Sequence, residues 1–209
     1  MLEMPASTEV VDRRVSQLFA LVSEALARAT HALLTADAEV ANGVVEGDQV
    51  VDDLTAEVEA LIWTRLESGP VDAITLRHLV SVLLILPELE RSADLAEHVA
   101  QRALAHLGTE MSPLSRGIVQ RMTEVALEMW RTAADAYAER SSLGRALAEA
   151  DEEMDILHER LSGEVATEAM PVPVAAQVTL LARFYERLGD HAVNLARRID
   201  TLPERRAAG

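Results

Sequence analysis

The chain contains no cysteine, which excludes disulfides, thiolate metal sites and a cysteine nucleophile. Aromatic side chains make up only 3% of its 209 residues, and there are just 9 Gly and 7 Pro. Most other positions are Ala, Leu, Val, Glu or Arg, and all of these except Val are good helix formers. The composition therefore predicts an all-α protein.

Long hydrophobic runs and excess positive charge are also missing. The longest apolar run, at residues 79–87, is far shorter than the ~20 residues of a membrane-spanning helix, and residues 1–14 include no apolar signal-peptide segment. With 19 basic against 35 acidic side chains, the net charge of -16 repels nucleic-acid phosphates and anionic lipids. These features predict a cytoplasmic protein that does not bind nucleic acid directly.

Apolar residues recur at steps of three and four over six stretches, which is the spacing of helices with one buried face. Asp37 is a candidate N-cap before the second stretch, and Pro87 inside the third predicts a kink there. Segments rich in Gly and Pro separate several of the stretches. The predicted helices cover about 14–34, 38–67, 74–107, 114–139, 143–168 and 174–202.

The last three helices repeat the pattern of the first three. The second helix of each half carries Glu-x-Asp-x-x-x-Asp-x-Leu, with Asp151 lying 103 positions after Asp48. The third helix of each half carries Glu-Arg-x-x-Asp-x-Ala, with Glu186 lying 96 positions after Glu90. This duplication predicts two tandem three-helix bundles related by pseudo-two-fold symmetry, at residues 1–110 and 111–209.

Each half carries two acidic pairs with a spacing of four residues. Side chains at this spacing lie one turn apart on the same helix face, so each pair presents two carboxylates together. Oxygen-rich sites suit cations such as Fe, Zn, Mg or Mn. The eight predicted metal ligands are Asp48, Asp52, Glu90 and Asp94 in the first half, and Asp151, Asp155, Glu186 and Asp190 in the second.

A solvated helix surface is the alternative explanation, because a chain this acidic contains on the order of six such pairs by chance. Recurrence at equivalent positions in both halves favours shared anionic faces. His98 lies one turn beyond Asp94 and could add a nitrogen ligand, whereas His191 points to another side of its helix. Arg91 and Arg187 either pair with neighbouring carboxylates or remain in water.

Motifs of the common helical metalloenzymes and nucleotide-binding proteins are absent. No histidine follows a glutamate by three residues, which is the spacing that di-iron sites use twice, and the sequence has no P-loop or Gly-rich phosphate cradle. We therefore expect neither an enzyme nor an organic cofactor.

The repeated motifs resemble those of the PhoU family, whose members are tandem three-helix repeats with a Glu-Arg-Ile-Gly-Asp type motif in each. Residues 185–194 resemble the second copy almost unaltered, and residues 89–96 resemble the first. The first copy has Ser92-Ala93 in place of Ile-Gly, which allows less close helix approach and makes a metal site there the weaker expectation. The likeness extends over about 14–202.

The resemblance implies a signalling adaptor that restrains phosphate uptake. Its implied partners are the ATP-binding subunit of the phosphate ABC transporter and the phosphate-sensor histidine kinase, and it implies metal clusters on the acidic faces and a homodimer. Two other possibilities remain open. One is a metal-handling protein without signalling partners, and the other is an inert helical scaffold.

Overall fold

A computed structural model of the chain describes residues 8–141, 144–167 and 170–203. This part of the chain is built from helices and contains no strand. The helices are α1 Thr8–Thr35, α2 Ala38–Glu67, α3 Ala73–Leu104, α4 Leu107–Glu110, α5 Pro113–Glu139, α6 Gly144–Thr167 and α7 Val172–Ile199. The all-α prediction is confirmed, and positions 143 and 168, predicted as limits of the fifth helix, lie outside the described residues.

Polar side chains fix where three helices begin. Asp37 accepts the backbone N–H of Val40 at 3.0 Å, which confirms it as the N-cap of α2. Asp72 accepts the N–H groups of Ile74 and Thr75 at the start of α3. Ser112 caps α5 in the same way. Each cap satisfies N–H groups that have no partner within the helix itself.

The third helix ends at Leu104, three residues earlier than predicted, and the one-turn helix α4 follows it. His106 sits between the two helices with a left-handed φ of 60°, which breaks the run. Gly108 packs so closely on the end of α1 that a Cβ would lie 1.8 Å from the carbonyl oxygen of Leu33. A four-residue turn of this kind is too short to produce an apolar period in the sequence. Pro87 lies within α3, which continues past it.

The two three-helix bundles face each other through their first and third helices. Helices α1, α2 and α3 contact one another, as do α5, α6 and α7, while α1 contacts α5 and α3 contacts α7. Each of these four central helices thus packs on its own counterpart, as a two-fold relation requires. The α2 and α6 helices lie on the outside, and buried apolar residues of both bundles join in one core. The predicted pair of three-helix bundles is confirmed.

A single helix of the described residues, α1, is long and apolar enough to cross a membrane by length and composition alone. Its apolar residues, however, form much of the core. Val15, Leu18, Val22 and Leu26 are fully buried against the other helices. The apolar face of α1 is therefore accounted for by packing within the fold.

Buried polar contacts tie the two bundles together. The Asp12 carboxylate on α1 lies 3.1 Å from Nε2 of His78 and 2.7 Å from the guanidinium of Arg140, and it accepts the Tyr137 hydroxyl at 2.7 Å. Burial alone would raise the pKa of Asp12, but these partners lower it to about 2. The cluster therefore holds α1, α3 and α5 together.

A second set of hydroxyl contacts lies deeper between the bundles. The Thr30 and Tyr185 hydroxyls are 2.5 Å apart, and Thr123 donates to Thr30. Nearby, the Trp130 indole donates to the Leu188 carbonyl at 3.2 Å. Because Tyr185 is fully buried, its hydroxyl needs these partners.

Candidate functional site

Four carboxylates of the first bundle lie on the facing surfaces of α2 and α3. Asp48 is half-buried on α2 with Asp52 one turn beyond it, and α3 packs alongside. Burial, followed by the negative charges of Glu97, Asp52, Asp94 and Glu90, raises the pKa of Asp48 to about 6. Helices α2 and α3 thus bring the predicted carboxylates of the first bundle into one electrostatic cluster, named here the first acidic patch.

The α3 members of the first acidic patch respond in the same way. Burial and the charge of Asp52 raise the pKa values of both Glu90 and Asp94. Glu97, which the sequence analysis did not select, also belongs to the patch. It lies seven residues after Glu90 and so shares its helix face, but its counterpart in the second bundle is Val193. The repeated motif therefore gives no signal for Glu97.

The second acidic patch is formed by the corresponding residues of α6 and α7. Burial, Asp155 and Asp190 raise the pKa of Asp151, whereas Arg197 lowers it. Burial and Asp190 likewise raise the pKa of Glu186. The predicted carboxylates of the second bundle are therefore also brought together.

Basic side chains partly neutralise both patches. In the first patch Arg91 lowers the pKa of Glu90, and His98 and Arg91 lower the pKa of Asp94.

The second patch has further cations. Arg183 forms an ion pair with Glu186 and lowers its pKa, and His158 acts in the same direction. The residue equivalent to Arg183 in the first bundle is Pro87, and the equivalent of Arg197 is Gln101. The first patch thus gains Glu97 and lacks counterparts of these two arginines, so it carries more net negative charge than the second.

The chemistry of both patches suits a hard cation, because every predicted ligand is a carboxylate and their mutual repulsion would be relieved by positive charge. No three His, Asp or Glu side chains of the described residues converge closely enough to hold a metal ion as they stand. Coordination would therefore require side-chain rotation on the helix surfaces. The assignment of the eight carboxylates as metal ligands remains a prediction.

The two histidines near these patches have different surroundings. The His98 ring stacks on Phe184 with a centroid distance of 5.4 Å, and its charge acts on Asp94. His191 is buried, and its Nδ1 lies 2.8 Å from Oγ of Ser92. Ser92, one of the two departures from the family motif, thus forms a hydrogen bond between the bundles. Burial lowers the pKa of His191 to about 4, helped by the charges of two nearby arginines.

The motif arginines, Arg91 and Arg187, are exposed, and neither forms an ion pair or hydrogen bond with any residue that the structure describes. Both act at longer range on His191, which places them near the crossing of α3 and α7. Of the two expectations for these residues, the structure supports solvation.

Comparison with known proteins agrees with this architecture. The PhoU domain profile matches residues 15–103 and again 119–199. A phosphate-specific transport system accessory protein PhoU homolog of Rhizobium meliloti is 31% identical over 90% of this chain and 81% of that protein. Homolog 2 of Mycobacterium tuberculosis is 33% identical over 90% of this chain and 91% of its own length.

Solved structures show the same fold. PhoU from Pseudomonas aeruginosa superposes with a TM-score of 0.84 at 26% identity, covering 92% of this chain and 94% of that one. The phosphate transport system regulatory protein PhoU from Streptococcus pneumoniae, at 21% identity and a TM-score of 0.81, supports the fold alone. Two matched domains, one on each three-helix bundle, together with relatives aligned over most of their length, show that this chain belongs to the PhoU domain family.

Proposed function

We propose that the chain is a negative regulator of phosphate uptake and of the phosphate-starvation response. The observation that carries this proposal is the match, over 90% of this chain and across both repeats, to relatives named as accessory proteins of phosphate-specific transport. The expected partners are the ATP-binding subunit of the phosphate ABC transporter and the phosphate-sensor histidine kinase. The chain would act in the cytoplasm, where both partners expose their soluble parts.

A regulatory role without catalysis fits the chemistry of the chain. The sequence has no P-loop and no Gly-rich phosphate cradle, so it has no recognised means of sensing phosphate or ATP itself. The polar clusters between the repeats are used in holding helices together, as the contacts of Asp12 and Tyr185 illustrate. We infer that information about phosphate reaches the chain through its protein partners.

Exposed apolar side chains offer surface for protein contacts, including a homodimer. Leu76 and Leu84 on α3 are about half exposed. Their counterparts 96 positions later, Val172 and Leu180 on α7, are exposed as well. Such repeated apolar positions support assembly with other proteins.

A deletion strain tests the regulatory role. Removing the gene should switch on phosphate-scavenging genes in phosphate-rich medium, and supplying the wild-type chain should restore repression. Normal repression in the deletion strain, when no second copy of the gene is present, would show that the proposed function is wrong.

Metal binding is a second property that we propose, supported by the raised pKa of Asp48 in the more charged first patch. Equilibrium dialysis against Fe, Zn, Mg and Mn salts would measure it. Substituting Asn for Asp48 and Asp52 should reduce the bound metal, whereas Asp135→Asn, at an exposed position on α5, should not. Equal binding by all variants would exclude the first patch as a metal site.

A further inference from the structure

The first repeat contains a cavity beside its acidic patch. It has a volume of about 80 Å³ and lies between α1 and α2, beside the first acidic patch. Its apolar wall includes Leu21, Ala25, Val44, Val51 and Ala93. Its polar rim is formed by Glu24, Arg28 and Asp48, and Gly43 and Gly47 complete the lining.

In the second repeat, methionines stand at two of the equivalent positions. A Cβ on Gly189, the counterpart of Ala93, would lie 3.4 Å from Met154 and 3.7 Å from Met129, which are ordinary contact distances. Met154 is the counterpart of Val51, and Met129 lies 104 positions after Ala25. The fold therefore accepts methionine at the places that Ala25 and Val51 occupy in the first repeat.

The rim of the cavity includes one cation, Arg28, which lies close to Gly43 and Glu24. The Arg28 guanidinium lies over α2, where a Cβ on Gly43 would be only 2.9 Å from its Nη2, so glycine makes room for it. The same guanidinium is 3.7 Å from the Glu24 carboxylate, which holds it at the edge. A side chain larger than hydrogen at position 43 would push Arg28 away from the mouth.

The chemistry of the walls selects the occupant. An apolar wall and this volume suit one aliphatic side chain, and leaving such a space empty costs stability. On the rim, Asp48 has no hydrogen-bond or ion-pair partner among the described residues, and it neighbours Asp52 and Glu90. A positive charge next to the aliphatic group would therefore be attracted to the mouth.

We propose that this cavity receives an aliphatic side chain of a partner protein whose neighbouring Lys or Arg faces the first acidic patch. The inference rests on the proposed function, since the partner is expected to be the transporter's ATP-binding subunit or the sensor kinase. It adds that docking uses the first repeat, where the cavity lies beside the patch with the greater net negative charge.

Filling the cavity with the residues of the second repeat tests the proposal. The double variant Ala25→Met/Val51→Met copies Met129 and Met154, so we expect it to melt at or above the wild-type temperature. Its affinity for whichever purified partner binds the wild type should fall at least tenfold. The control Ile156→Met, on an exposed position of α6, should bind like the wild type.

Several outcomes would overturn the inference. Wild-type affinity in the filled variant would show that the cavity is not used, while failure of the wild type to bind either partner would also contradict the proposed function. Affinity that does not fall with added salt would exclude the basic neighbour. If the double variant does not fold, methyl NMR of the wild type replaces it: partner addition should shift the Val44 and Val51 methyls, and unchanged signals would overturn the proposal.

Discussion

The ionised side chain of Asp12 makes a large electrostatic contribution to the stability of the fold. Its folded-state pKa of about 2 lies below the ordinary 3.8, so ionised Asp12 stabilises the fold above pH 4. That contribution is lost as the pH falls toward 2. The cluster is also almost buried, with only 5% of the Arg140 side chain exposed, so water screens it little.

Replacing Asp12 with Asn should therefore lower the unfolding free energy at pH 7 by about 2 kcal/mol. It should also remove part of the stability loss between pH 4 and pH 2. Urea titrations across this range would measure both effects. The control is Glu57→Gln, which breaks the exposed ion pair with Arg14 and should cost less than about 1 kcal/mol. Equal effects of the two substitutions would contradict the role assigned to the cluster.

Asp48 should have the opposite effect on stability. Since its folded pKa of about 6 lies above 3.8, its ionised form destabilises the fold, and stability rises as the pH falls from 6 to 4. In chelator-treated protein, Asp48→Asn should raise the unfolding free energy at pH 7.5 by about 0.5 kcal/mol.

The Asp48→Asn difference from wild type should shrink as the pH falls through this window. Buried His191, whose pKa is lowered to about 4, makes the fold less stable as the pH falls over the same range. Because His191 is present in both proteins, its effect cancels in the difference. A variant that is less stable than wild type at pH 7.5 would contradict the repulsion within the first acidic patch.

At the scale of elements, the contact between α4 and α1 depends on one glycine, Gly108. Gly108→Ala should cost about 2 kcal/mol or more, because the added Cβ would collide with the Leu33 backbone, which cannot rotate away. Gly163→Ala is the control: a Cβ added to this α6 residue would meet no side chain or neighbouring helix within 4 Å, and alanine there should stabilise the helix slightly. Thermal unfolding followed by circular dichroism would measure both. A harmless Gly108→Ala change would mean that α4 does not pack on α1.

The long helices could be predicted from the sequence because their apolar period extends over many turns, and Asp37 marked a true start. The carboxylate faces could be predicted because duplication placed them twice in register. Other features depend on tertiary contacts that no local period encodes. Glu97 and Arg183 have no charged counterpart in the other repeat. The Thr30 to Tyr185 contact joins two residues that lie 155 positions apart in the sequence.

At the scale of the whole molecule, the two repeats share one core and should unfold together. Phe19 packs on Trp130 at 6.1 Å and on Tyr137 at 5.6 Å, across the boundary between repeats. Each repeat contains one tryptophan, Trp63 or Trp130, so single-tryptophan variants report on each half separately. In each variant, the urea midpoint reported by the single tryptophan should equal the midpoint reported by circular dichroism. Separate midpoints for the two halves would show that the repeats are independent domains.

The proposed regulatory role also belongs to the whole molecule, because both repeats match the PhoU domain. An adaptor that restrains the transporter must change the rate of phosphate entry itself. The most direct measurement is the initial rate of radiolabelled phosphate uptake by cells grown in phosphate-rich medium, with and without the gene. A higher rate in the deletion strain, restored to normal by the wild-type chain, is the predicted result; equal rates in the two strains would contradict the account.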